Sequence, residues 1–266
     1  KFDAGTMCPS YRITGEEKHL TRGRANTLRL AISGQLGADA LVSDEMAETM
    51  RLCVGCKGCK RECPTGIDMA KMKVEFLHHY KRRHGHRLFD RLVGYLPRYA
   101  PLASKLGWLL NLRDRIPGMA KLSEALAGFA AARSLPHWSS APFRPDEAAA
   151  NEAGREVALF VDTFNTWFEP ENARAAIRVL EAAGYRVVVP TAKDGGRPLC
   201  CGRTFLSTGM VEEGRAEAKR LIEAMLPYAA RGVPILGLHP SCLLALKDEI
   251  ATLLPGADAK TTRASA

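Results

Sequence analysis

Cys53, Cys56, Cys59 and Cys63 are separated by two, two and three intervening residues, and Pro64 follows the last of them. The run C-x2-C-x2-C-x3-C-P is the spacing by which thiolates on a tight loop reach the irons of a [4Fe–4S] cubane. Gly55 and Gly58 fall in the gaps. Without a Cβ they let the backbone approach, so that amide N–H groups can point at cluster sulfurs. Zinc also takes Cys-x-x-Cys pairs, but its ribbons use two separated pairs rather than one compact run ending in Cys-Pro. The chemistry indicated is one-electron transfer, with a zinc-stabilised interaction module as the alternative.

Where two clusters are present, the fourth cysteine of such a run ligates the other cluster. Cys63 therefore does not complete the set of Cys53, Cys56 and Cys59. Another Cys-Pro is needed, and Cys8-Pro9 supplies it upstream. One complete cluster is expected on Cys8, Cys53, Cys56 and Cys59, and Cys63 is expected to serve a second whose other ligands lie before Lys1. Three more thiols follow much later, the pair Cys200-Cys201 and Cys242, with His239 just before the last. These four residues suit a metal site, a redox-thiol site or a structural remnant equally well. Arg22 and Arg24 flank Gly23. They suit either neutralisation of an anionic cluster or an ordinary solvated helix face.

The elements that must carry these residues fall into three regions. Residues 1–80 read as short helices around a cofactor. Thr14 and Glu17 have capping-box spacing, Ser43 before Asp44-Glu45 reads as an N-cap, and Asp68 precedes a helix carrying Met69, Met72, Phe76 and Tyr80. Residues 81–150 read as a basic linker of amphipathic helices broken at Pro97 and Pro117, ending in the Ser- and Pro-rich stretch 139–145. Residues 151–266 change period, with apolar strands at 156–161, 185–189 and 233–238 alternating with helices at about 170–183 and 212–226. Strand, helix, strand, helix, strand is the pattern of a parallel α/β sheet, so the fold class is α+β overall.

The totals narrow the function. The chain has 266 residues, a net charge of +9 and eight cysteines, five of them before residue 64. That clustering argues against a disulfide framework and for a reducing, cytoplasmic setting. No stretch approaches the ~20 apolar residues of a membrane span, and Lys1-Phe2-Asp3 opens no secretory signal. The first residue is not Met, which suggests an excerpt of a longer chain. The basic stretch 81–99 has only Phe89, Tyr95 and Tyr99 interleaved and no recognition-helix context, so nucleic acid is not expected as a partner. Packing between domains, or peripheral contact with the inner face of a membrane, suits it better. No Walker loop and no Gly-x-Gly-x-x-Gly opens a helix.

The segments Met7-Cys8-Pro9-Ser10-Tyr11-Arg12, Thr21-Arg22-Gly23-Arg24-Ala25-Asn26 and Glu62-Cys63-Pro64-Thr65-Gly66-Ile67-Asp68 resemble the iron–sulfur portion of FAD-linked oxidases, which include D-lactate and related D-2-hydroxyacid dehydrogenases. The iron–sulfur subunit of glycolate oxidase is similar in plan. Asp162-Thr163-Phe164-Asn165, Cys200-Cys201-Gly202-Arg203 and Pro240-Ser241-Cys242 resemble the cysteine-rich CCG domain, found also in heterodisulfide reductase. The resemblance implies an α-helical ferredoxin-like domain, a helical linker and the first repeat of a CCG domain. It also implies FAD on a domain or subunit outside this chain, and a quinone, cytochrome or ferredoxin as electron acceptor. Heterodisulfide-reductase-like thiol chemistry is the rival it offers. The chain departs from the CCG pattern at 162–164, where a further cysteine is expected, and at His239, where the fused oxidases carry Glu.

Overall fold

The computed structural model describes residues 6–148, 154–254 and 256. The chain divides into two compact units, one of residues 1–87 with 207–211 and the other of residues 88–206 with 212–266.

The first unit is helical: α1 (Pro9–Thr14), α2 (Thr21–Ile32), α3 (Asp44–Arg51), α4 (Gly58–Glu62) and α5 (Met69–His84). Two expected caps form. Ser43 Oγ accepts the Met46 N–H at 3.2 Å and starts α3, with Asp44 and Glu45 in the first turn. Asp68 Oδ1 accepts the Lys71 N–H at 3.2 Å and starts α5. The capping box expected at Thr14 and Glu17 does not form. Pro9 at the first turn places a helix before Thr14 instead, and Gly15, at φ 66°, stops it there. The Thr14 hydroxyl then donates back to the Ser10 carbonyl at 3.0 Å, and Glu17–His19 make a single 3-10 turn. Ala31, Ala40, Met46, Met50, Met69 and Phe76 form the core, with Cys53 and Cys59 packed against it.

Gly23 explains how α2 meets that turn. A Cβ on it would lie 2.0 Å from the Glu17 carbonyl oxygen, so only glycine lets the two backbones touch here.

The second unit opens with α6 (Leu88–Gly94), α7 (Leu96–Ala103), α8 (Gly107–Leu110) and α9 (Met119–Ala127). Then follow β1 (Arg155–Phe160), α10 (Thr163–Trp167), α11 (Pro170–Ala182), β2 (Tyr185–Val188), α12 (Arg203–Ser207), α13 (Val211–Ala229), β3 (Ile235–Gly237), α14 (Pro240–Lys247) and α15 (Glu249–Leu253). The sheet is parallel with order β2-β1-β3, as the alternation of strands and helices predicts. Its central strand is buried on both faces with a period of two. Ala158 and Phe160 pack with Leu221, Met225 and Leu246, while Val157, Leu159 and Val161 pack with Ala173, Ile177 and Val187.

Part of the basic stretch is not solvated. Glu217 on α13 is 1% exposed and accepts from Arg98 Nε at 3.0 Å and Arg197 at 2.5 Å. The Arg98 guanidinium lies 4.8 Å from the Phe205 ring centre. The Tyr95 hydroxyl donates to Glu213 at 3.1 Å. Helix α7 is thus fastened to α13 by one buried carboxylate shared between two arginines.

Candidate functional site

The loop between α3 and α4 turns back on itself through two left-handed residues, Gly55 at φ 64° and Lys57 at φ 58°. A lysine there carries backbone strain of order 1 kcal/mol, which persists where the surroundings hold it. Its neighbour Gly58 starts α4, and a Cβ on Gly58 would lie 2.2 Å from Thr6 Cγ2. The Thr6 N–H is held by the Glu62 carboxylate. Bare backbone at Gly58 therefore lets the segment before α1 lie against the cysteine loop. That brings Cys8, forty-five residues away from Cys53 in sequence, to the same place.

Cys8, Cys53, Cys56 and Cys59 line one cavity, with Arg24, Lys57, Ser10, Thr21 and the apolar Met69 and Val54. Among the described residues, no acidic side chain lines it. Among the described residues, no three His, Cys, Asp or Glu side chains gather tightly enough to hold a single metal ion. A cubane holds its four thiolates at the corners of a much wider tetrahedron than one ion does, and four cysteines around one cavity match that demand. Two lining cations and, among the described residues, no lining carboxylate suit the negative charge that four thiolates give such a cluster. The donor set fits a [4Fe–4S] cluster.

The Cys8 corner is the most furnished. Cys8 Sγ lies 3.4 Å from Thr21 Oγ1 and 3.9 Å from an Arg24 terminal nitrogen. Arg24 is 1% exposed. Arg22 is exposed and pairs with Glu17 at 2.6 Å, so the two arginines, treated alike from sequence, have different roles. At another corner Lys73 Nζ donates to the carbonyls of Cys53 at 2.6 Å and Arg51 at 3.1 Å. Burial pushes this lysine's pKa down, while Cys53 acts in the opposite sense. Sequence reasoning passed over Lys73, which offers no motif. Its position at the end of α3 comes from the fold of α5.

Cys63 does not line this cavity. Its sulfur lies in the turn that follows, 3.1 Å from Thr65 Oγ1. The Thr65 hydroxyl first, then the N–H groups of Ile67, Thr65 and Gly66, hold its thiol below the usual range. This is a nest for a thiolate, turned to a different place from the other four.

The remaining thiols gather in the second unit, at the carboxyl ends of β1 and β3. Strand order β2-β1-β3 makes that the switch point where an open parallel sheet has its crevice. Asp162, two residues past the end of β1, caps α10 through the N–H groups of Phe164 and Asn165. His239 is the residue before α14 and stacks on Phe164 with ring centres 5.9 Å apart. Cys200, Cys201 and Cys242 are buried. The Gly202 N–H donates to Cys200 Sγ at 3.4 Å, and Cys201 and Cys242 belong to one buried cluster. The neighbouring Cys201 thiol, then burial, pushes the Cys200 thiol well up. For Cys201 the Cys200 neighbour works downward, but the Cys242 neighbour and burial outweigh it. The structure thus brings the three cysteines together, with His239 on the neighbouring ring stack.

Comparison with known proteins bears directly on the first cavity. Residues 5–67 match the model of the 4Fe-4S dicluster domain. The matched residues make up most of the first unit and include Cys8 and the whole cysteine run. The chain is 24% identical to a D-2-hydroxyglutarate dehydrogenase of Pantoea ananatis (strain AJ13355), over 95% of this chain and 29% of that protein. It is 25% identical to the protein of the same name in Escherichia coli (strain K12), over 93% of this chain and 28% of that one. It is 26% identical to a probable glycolate oxidase iron-sulfur subunit of Bacillus subtilis (strain 168), over 82% of this chain and 51% of that subunit. The chain thus spans under a third of the dehydrogenases and about half of the subunit. No solved structure matches. The similarity extends well past residues 5–67, into the α/β unit.

Proposed function

We propose that this chain is the iron–sulfur electron-transfer portion of a flavin-linked D-2-hydroxyacid oxidoreductase. In this reading Cys8, Cys53, Cys56 and Cys59 hold one [4Fe–4S] cluster and Cys63 serves a second. The observation that carries it is one cavity lined by those four cysteines and, among the described residues, by no acidic side chain, within residues matched as a dicluster domain. When bound, such a cluster accepts and releases one electron at a time. The protein's part is to hold the thiolates, exclude water on the Met69 side and place cations beside them. Oxidation of the hydroxyacid falls to a flavin-bearing domain or subunit, with a quinone or cytochrome-type carrier as acceptor, in a cytoplasmic setting. Among the described residues no helix is long and apolar enough to cross a membrane. Leu102, Leu106, Trp108, Leu109, Leu122 and Leu126 are nonetheless exposed on consecutive short helices of the second unit. They support peripheral contact with a membrane or partner through 102–126, beyond the basic stretch itself.

Anaerobic purification with iron and sulfide analysis and EPR of the reduced state tests the ligand set. Cys8→Ser is expected to lose or alter one cubane signal, and Cys63→Ser to leave that signal in place. An unchanged signal in Cys8→Ser refutes the assignment. The buried free thiols Cys200, Cys201 and Cys242 support a second reading for the α/β unit alone, as a dithiol centre. Under that reading, a Cys201→Ser protein keeps the cubane spectrum and loses disulfide turnover.

A further inference from the structure

We infer that Arg24 is a positioning residue for the cluster: its guanidinium fixes the Cys8 corner and raises the reduction potential of the cluster held there. This rests on Cys8 being the fourth ligand, as proposed above.

Arg24 is among the largest fully buried side chains of the molecule. Its Nε donates to the Thr49 carbonyl at 3.0 Å, one terminal nitrogen to Ser10 Oγ at 3.1 Å, and the other faces Cys8 Sγ at 3.9 Å. Ser10 Oγ spends its own proton on the His19 carbonyl at 2.6 Å, which leaves its lone pairs for Arg24. Among the described residues, no carboxylate pairs with this guanidinium. A buried cation without an anionic partner is costly, by several kcal/mol on general grounds. Here it lines the cavity that the four cysteines surround, and the charge that answers it is that of ligated thiolates. The arginine fork also does what lysine could not, serving three acceptors in one plane.

The consequence for redox chemistry has a fixed sign. Reduction adds one electron to the cluster and breaks no bond, and arginine keeps its proton throughout. A fixed positive charge beside the sulfur favours the more negative, reduced state, and an N–H directed at a ligand sulfur acts the same way. Removing the charge must therefore lower the potential.

EPR-monitored redox titration of the full chain, purified anaerobically, tests this. Arg24→Gln is expected to lower the equilibrium constant for reduction at least about tenfold, which is about 59 mV for a one-electron couple. Arg24→Lys keeps the charge and should retain most of the wild-type potential, while Arg22→Gln, at the exposed pair, should match wild type. A measurement on wild-type protein guards against failure of the variant to fold. With arginine labelled by 15N in the guanidino group, ENDOR of the reduced cluster should show a 15N coupling that Arg24→Lys removes. A wild-type potential in Arg24→Gln, an Arg24→Lys potential as low as that of Gln, or absence of the 15N coupling overturns the inference. Failure of the ligand reading looks different: Cys8→Ser would then keep an unaltered cubane signal.

Discussion

Replacing Gly23 by alanine should destabilise the iron–sulfur unit although alanine is the better helix former. Its Cβ would stand 2.0 Å from the Glu17 carbonyl oxygen and 2.7 Å from the carbonyl carbon, where ordinary contact begins at 3.4 Å. The obstacle is backbone, so no side-chain rotation relieves it, and α2 and the 3-10 turn must part by more than an ångström. Overpacking of this kind costs roughly 1–3 kcal/mol, and rigid backbone belongs at the upper end. The gain in helix propensity offsets about 1 kcal/mol. The net loss is expected to be about 1–2 kcal/mol, and it falls next to Arg24, so cluster content should drop with it. Urea unfolding followed by far-ultraviolet circular dichroism, on protein of measured iron content, reads both effects. A Gly23→Ala protein as stable as wild type, with full iron, would refute the close-approach account. One more stable by the propensity gain would refute it more strongly.

Three further outcomes follow, chiefly from the second unit. Glu217→Ala leaves Arg98 and Arg197 facing each other without their shared carboxylate. Breaking a buried pair costs 3–5 kcal/mol in general, and the partial exposure of both arginines, 34% and 21%, reduces the expectation to about 2–3 kcal/mol, read as a shift in urea midpoint. Acid should weaken this unit in a defined direction. Hydrogen bonds from Arg174, Arg231 and Arg220 hold Glu147, Glu156 and Asp194 below the usual carboxylate range. Depressed folded-state values mean that the contribution is full above the unfolded pKa, about 4, and is lost as pH falls through the folded values. The stability gap between wild type and Arg231→Met should therefore shrink between pH 6 and pH 3, and a constant gap would remove this cause. In cluster-free protein, iodoacetamide should modify Cys56 within the native state and reach Cys200, Cys201 and Cys242 only on unfolding. Peptide mapping decides, since the latter are 4%, 3% and 7% exposed.

Those features were legible in the sequence whose cause is local. The spacing of Cys53, Cys56, Cys59 and Cys63 reports the reach of one loop, and the apolar runs around Val157–Phe160 and Val187 report burial on two faces, so both survive reading one residue at a time. Asp68 and Ser43 cap helices for the same reason. Thr14 misled because a capping box specifies only two residue types three apart, which a Thr ending one helix and a Glu opening the next turn also satisfy. Only Pro9 before it and Gly15 after it decide on which side the helix lies.

The two arginines show what kind of signal was missed. Residues two apart on a helix point about 200° apart, so Arg22 and Arg24 never could share a face. Arg24 falls on the stripe it makes with Leu28 and Ala31, four and seven residues on, and that stripe packs into the core of the unit. An arginine at a position of helical periodicity reserved for apolar residues is a local conflict, and such conflicts mark sites where function overrides packing. What the periodicity does not contain is the object of the charge. That requires Cys8, brought in by a contact over Gly58 that leaves no pattern in either segment. The same contact makes a further test of the site. Gly58→Ala removes no ligand and no charge, but its Cβ would meet Thr6 Cγ2 at 2.2 Å, so the Thr6 side chain must turn away from the loop. The cubane signal of Cys8 should shift or weaken while the helices of the unit stay folded. A Gly58→Ala protein with a wild-type EPR signal would mean that Cys8 reaches its place by some other route.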